Sequence, residues 1–215
     1  MKYIDNIQKI GVLQPDYLGF IFYEKSKRNF EGVIPELTTS VKKTGVFVDE
    51  YVDIVTSLIS EYSLEAVQLH GNESVDYVKK LRAICQSERN DKSQEIEIIK
   101  VFSIEEGFDF DELKPFENIV DYFLFDTKGK ERGGNGTTFD WKILEKYPST
   151  KPFFLSGGIG LEEKEEVLPF LQKPVSKYCY AIDVNSKFEI EAGLKSVEKI
   201  KEFKKYVITR KETTK

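Results

Sequence analysis

Seven short runs of apolar, β-branched and aromatic residues recur along the chain, and this rhythm constrains the fold more than any other feature. The runs are Tyr17 to Tyr23, Thr44 to Val48, Ala66 to Leu69, Ile96 to Phe102, Tyr122 to Phe125, Pro152 to Leu155 and Tyr180 to Val184. Each is almost continuously apolar, as expected of parallel strands covered on both faces; half-exposed strands alternate instead. Stretches of helical period lie between them, such as Val52-Val55-Leu58-Ile59 and Val75-Val78-Leu81-Ile84, then Val167-Leu168-Leu171 and Leu194-Val197-Ile200. Strand, helix, strand at this spacing predicts an α/β protein of right-handed βαβ units.

Counting sharpens the prediction. The pattern holds seven strands but eight helical segments, because the chain opens on a helix from Tyr3 to Leu13 with Ile4, Ile7 and Ile10 on one face. A small closed parallel barrel takes eight strands. The fold expected is therefore a TIM (β/α)8 barrel whose first strand would stand ahead of Met1, although an open doubly wound sheet would not need that strand. The 215 residues, 40% hydrophobic and 32% charged, suit one domain. We expect that domain over residues 1–208, a polar loop from Gln86 to Glu95, and a frayed, flexible tail over 209–215.

The formal charge of -5 and the absence of a basic stripe argue against a nucleic-acid partner. They leave room for a phosphorylated small molecule, which backbone amides and one or two cations can hold. Two distant cysteines, Cys85 and Cys179, and one histidine, His70, make no zinc spacing. We expect no metal and no cofactor. No apolar run reaches membrane-spanning length and no leader is evident, so the expected setting is cytoplasmic, without a membrane partner. Monomer and homodimer both remain open.

Chemistry in parallel α/β proteins sits at the carboxyl ends of strands. Ser156-Gly157-Gly158 follows one strand and precedes a helix from Leu161 to Leu171, and glycines there let backbone N–H groups approach an anion. An ordinary tight turn is the plainer reading; Asn185-Ser186 after the last strand supplies the second loop of a phosphate site and favours the anion. Asp126 ends a strand ahead of the Gly-rich stretch Gly129 to Gly136, where a general acid could work. A helix cap or a solvated strand end is its alternative, and the same ambiguity holds for Asp183. Asp49, before Glu50 and a helical run, reads as an N-cap. Arg28 could grip a carboxylate or be a solvated charge. His70, two residues after Gln68, reads as a structural hydrogen bonder more readily than a catalyst. Cys85 and Cys179 read as small core residues, and Phe139 and Trp141 as packing anchors at a helix start.

Taken together these words resemble the phosphoribosylanthranilate isomerase family. The matching segments are Leu18-Gly19-Phe20-Ile21-Phe22-Tyr23, Lys25-Ser26-Lys27-Arg28, Gly45-Val46-Phe47-Val48, Val67-Gln68-Leu69-His70-Gly71 and Phe125-Asp126-Thr127-Lys128. Gly133-Gly134-Asn135-Gly136, Phe139-Asp140-Trp141, Leu155-Ser156-Gly157-Gly158 and Asp183-Val184-Asn185-Ser186 complete the ordered set. The resemblance implies an Amadori rearrangement of N-(5′-phosphoribosyl)anthranilate to 1-(2-carboxyphenylamino)-1-deoxyribulose 5-phosphate in tryptophan biosynthesis, without metal or cofactor. It makes Asp126 the general acid and Arg28, His70 and Asp183 substrate-binding. Gly157, Gly158, Asn185 and Ser186 fall in its phosphate loops. Two departures stand out. Lys27 replaces the usual proline, and the family's Lys-x-Cys-Gly word, whose cysteine is the general base, would end at Met1-Lys2. A chain lacking that word would be inactive. The alternatives are a non-catalytic phosphate-binding remnant or another phosphate-binding barrel. An indole-glycerol-phosphate synthase would want strand lysines and a ribulose-phosphate epimerase several metal-binding histidines.

Overall fold

A computed structural model describes residues 1–38, 40–88, 95–127 and 140–213, with side chains to 208. Two compact units emerge, one formed by Met1–Val101, Leu113–Tyr122 and Ala192–Leu194, the other by Phe102–Glu112, Phe123–Glu191 and Lys195–Lys215.

In the first unit α1 (Ile4–Gly11) leads to strand β1 (Tyr17–Phe22), then β2 (Lys42–Phe47), α2 (Val52–Tyr62), β3 (Ala66–Leu69), α3 (Val75–Glu88) and the start of β4 (Glu97–Ile104). The strands pair in parallel and in chain order, with Tyr17 beside Lys42, Thr44 beside Ala66 and Ala66 beside Glu97. Helix α1 stops two residues short of the expected Leu13, where Gln14 turns to φ 52°. Its isoleucines also part company. Each three-residue step turns the helix by about 300°, so the row drifts around the axis; Ile7 and Ile10 are buried while Ile4 is exposed.

No helix is found among the described residues between β1 and β2. The segment after β1 instead folds back along it, with the Phe30 N–H donating to the Ile21 carbonyl at 2.8 Å and the Phe20 and Phe30 rings 5.0 Å apart. β1 alternates buried and half-buried residues rather than running buried throughout. Along the same edge, since carbonyls two residues apart in a strand point the same way, the Met1 ammonium donates to the Gly19 carbonyl at 2.7 Å, and the Lys2 N–H donates to that of Gly193 at 3.1 Å.

The second unit carries β5 (Tyr122–Thr127) from Phe123 onward, β6 (Phe153–Leu155) and β7 (Cys179–Ile182), again parallel and in chain order. Phe125 and Phe153 are fully buried around the ring of Tyr147, with the buried Phe123 against Phe125, and these aromatics fix the strands from within. α4 (Lys164–Leu171) begins three residues later than expected. Elsewhere the helical segments tighten to 3-10 stretches, Phe110–Phe116 with Pro115 inside it, and Trp141–Lys146. Proline removes a helix donor, which suits a short tight turn better than an α-helix. A small ribbon, β8 (Glu189–Glu191) with β9 (Leu194–Lys195), precedes α5 (Val197–Thr213). That helix continues where the sequence suggests a frayed tail. All seven expected strands are present; of the Gln86–Glu95 loop, residues 89–94 lie outside the described residues, as do Gly129 to Gly136 and Phe139.

Candidate active site

The strand ends of the first unit are closed by their own hydrogen bonds. Glu73, buried, accepts through Oε1 from the N–H groups of Asp49 and Gly71, each at 3.0 Å, and through Oε2 from Lys100 Nζ at 3.0 Å. Lys100 lies buried on β4 and also donates to the Gly71 carbonyl at 2.8 Å and the Leu69 carbonyl at 3.4 Å. Asp49 does not cap α2, whose N-cap is Tyr51 without a side-chain bond. Its Oδ1 accepts from the Asn72 N–H at 2.5 Å instead, with Asp49 itself at φ 52°. A Cβ on Gly71 would stand 2.5 Å from the Asp49 nitrogen, so only glycine allows this turn.

Two residues singled out in the sequence stand at these ends. Gln68 Nε2 donates to His70 Nδ1 at 3.1 Å, and the His70 N–H donates to the Phe47 carbonyl at 2.8 Å. Arg28 is half-buried in the loop after β1, its N–H donating to Ser26 Oγ at 3.1 Å. Near the same cluster the Tyr77 hydroxyl is buried without a hydrogen-bond partner. Burial first, then the charges of Glu73, Glu50 and Asp49, push its pKa up.

In the second unit the strand ends come together differently. Asp126 is buried at the end of β5, and its Oδ1 accepts from the Thr127 N–H at 2.9 Å. Gly157, at φ 90°, packs directly on this pair: a Cβ there would lie 2.6 Å from the Thr127 nitrogen and 3.0 Å from Asp126 Oδ1. Gly158 follows at φ 67°. Two successive left-handed residues therefore carry the loop past the carboxylate, a path open to glycine alone at Gly157. Thr127 Oγ1 is buried there without a partner. On the neighbouring strand end, Ser156 Oγ donates to Asp183 Oδ2 at 3.0 Å, and the Asp183 N–H to the Leu155 carbonyl at 2.8 Å.

Asn185 and Ser186 open the next loop, where the Phe188 N–H returns to the Asn185 carbonyl at 3.1 Å. Lys187 ion-pairs with Glu163, tying this loop to the one after Gly158. Sequence reading overlooked Glu73, Lys100, Glu163, Lys187, Glu189 and Lys195. Only Lys100 left a clear signal, a charge inside the apolar run Ile98-Ile99-Lys100-Val101-Phe102, which burial obliges to find a partner. Cys85 lies on α3 and Cys179 opens β7, both half-buried, the latter with Sγ 3.6 Å from the Ala181 carbonyl. Trp141 is buried against Phe170, as a packing anchor should be. Among the described residues no cluster of three His, Cys, Asp or Glu is placed to hold a metal ion, and no helix is long and apolar enough to cross a membrane.

Parallel strands in βα order, with carboxylates and glycine turns at their carboxyl ends, define a protein of the TIM-barrel class. A family model described as "N-(5'phosphoribosyl)anthranilate (PRA) isomerase" matches residues 1–206. The N-(5'-phosphoribosyl)anthranilate isomerase of Parabacteroides distasonis is 39% identical over 209 residues, covering 94% of this chain and 88% of that protein. The crystal structure of phosphoribosyl anthranilate isomerase from Thermotoga maritima superposes with a TM-score of 0.77 at 29% identity, over 97% of this chain and 96% of that one. A further isomerase structure, in complex with reduced 1-(o-carboxyphenylamino)-1-deoxyribulose 5-phosphate, gives 0.68 at 26% identity over 93% and 91%. The chain belongs to the phosphoribosylanthranilate isomerase family.

Proposed function

We propose that this chain catalyses the Amadori rearrangement of N-(5′-phosphoribosyl)anthranilate in tryptophan biosynthesis, with Asp126 as general acid. The observation that carries this reading is the burial of Asp126 directly beneath the Gly157 turn. A carboxyl group stands there beside a loop whose backbone can approach a phosphate. Asp126 gives its proton to the furanose ring oxygen, the C1′–O bond breaks, and a Schiff base forms. Loss of the C2′ proton to a base yields an enolamine, which tautomerises to the ketone. Arg28 holds the anthranilate carboxylate, His70 and Asp183 contact the substrate, and Gly157, Gly158, Asn185 and Ser186 take the phosphate. We place the reaction in the cytoplasm, in a monomer or homodimer that binds this phosphorylated small molecule. Neither Cys85, on a helix, nor Cys179, at the amino end of a strand, is assigned the base.

The assay follows loss of substrate fluorescence, with the chain as it stands and with a copy extended ahead of Met1 by Lys-x-Cys-Gly. The extended copy turns over substrate, and a version with alanine for that cysteine does not. In the extended copy Asp126→Asn lowers kcat about 100-fold or more. Arg28→Ala mainly raises KM, since it removes a contact made in ground and transition states alike. Undiminished turnover by Asp126→Asn would remove the acid assignment.

A further inference from the structure

A buried ammonium stands behind the Asn185 loop, and the isomerisation chemistry gives it no part. Lys195 is 7% exposed on β9. The Ser196 N–H donates to the Phe188 carbonyl at 2.7 Å and so lays Lys195 beside Glu189. Lys195 Nζ lies 3.0 Å from Glu189 Oε1, with both side chains shielded from water. The same ammonium donates to Oδ1 of Asn185.

Stability is a weak reason for such a pair. Withdrawing two charges from water costs about as much as their attraction returns, and apolar replacements often do as well. The contact with Asn185 is more informative. A carboxamide has one acceptor oxygen and a two-proton donor nitrogen. With the oxygen held by an ammonium, the group offers a ligand its N–H bonds and cannot swing its carbonyl toward one. An anion needs donors and is repelled by a carbonyl oxygen, so this is the orientation a phosphate requires.

We propose that Lys195 is a positioning residue of the phosphate site: it pins the Asn185 carboxamide with its donor face committed to the phosphate monoester, and Glu189 holds Lys195 in turn. The proposal rests on the reading of the Gly157 and Asn185 loops as phosphate loops. It extends that reading to a residue that touches no substrate and acts through another side chain.

Two matched variants test it without leaving a bare buried carboxylate. Lys195→Gln/Glu189→Gln keeps a donor at position 195, whereas Lys195→Met/Glu189→Gln removes it. Calorimetric titrations use inorganic phosphate and, separately, 1-(2-carboxyphenylamino)-1-deoxyribulose 5-phosphate. The methionine pair should bind both about tenfold more weakly than wild type, the loss of one well-oriented hydrogen bond, and the glutamine pair much less so. Asn185→Ala should lose a similar factor, and adding it to the methionine pair should cost nothing more, because both changes remove one interaction. Additive losses would overturn the proposal, as would equal behaviour of the two pairs. Should wild type bind phosphate and Gly157→Ala abolish it while the methionine pair matches wild type, the phosphate loops stand and the Lys195 assignment alone falls. Absence of any wild-type phosphate binding at millimolar concentrations would defeat both.

Discussion

The strand ends of the two units use similar residues to opposite effect. In the first, Glu73 and Lys100 spend their hydrogen-bonding capacity on the backbone of Asp49, Leu69 and Gly71, and the turn is locked. In the second, Gly157 lies bare against Asp126, Thr127 Oγ1 has no partner, and Lys195 engages the side chain of a loop residue, Asn185. A buried Lys–Glu pair occurs in both places. What separates them is the third group each lysine serves: main chain in one case, a ligand-facing amide in our reading of the other. A saturated turn stabilises; the Gly157 turn, with no Cβ and with the Thr127 hydroxyl unpartnered beside it, leaves the room that our proposed phosphate site needs.

Substitutions can break this contrast, and the largest effect is expected at Lys100. Lys100→Met strands the Glu73 carboxylate in the interior and should cost about 3–5 kcal/mol in urea melts, with phosphate affinity of the folded protein unchanged. A loss below about 1 kcal/mol would show the first turn to be less saturated than its hydrogen bonds indicate. Gly157→Ala comes next. It forces a side chain into the left-handed region and against the Thr127 backbone, a strain of about 1–3 kcal/mol, and should also abolish phosphate binding. Retained binding would break the contrast from the other side.

The smallest effect concerns Tyr77. Its raised pKa means that the folded state keeps a proton the unfolded chain has already lost above about pH 10. The stability this group contributes is therefore complete below that pH and drains away as pH rises beyond it. Melts between about pH 9 and 11 should show a shallower alkaline decline for Tyr77→Phe than for wild type; parallel curves would place the hydroxyl in water.

Much of this was legible in the chain itself. All seven strands lie where the apolar runs put them, because a parallel strand buried on both faces leaves an uninterrupted hydrophobic signature. The ordered motif words identified the family. The Asp49 cap was misread because a carboxylate before a helical run looks the same whether it bonds to its own helix or, as here, to Asn72 on the next turn. The helical count was too regular as well: the segment at Asn29 and Phe30 folds back on β1, and short segments such as Phe110–Phe116 wind as 3-10 turns.

The sequence by itself determined which residues must be strands, which must be glycine, and which carboxylates and cations end those strands. These are local properties, set by side-chain period, burial and backbone freedom. Only the tertiary structure decided what each buried charge is for. Lys100 stands out inside an apolar run and Lys195 does not, yet both are buried; their partners stand 27 and 6 residues away in Glu73 and Glu189, and their further contacts 29 and 10 residues away in Gly71 and Asn185. No local pattern encodes such pairings. They are selected when the chain closes, because an ammonium removed from water must find oxygen wherever the fold has brought it.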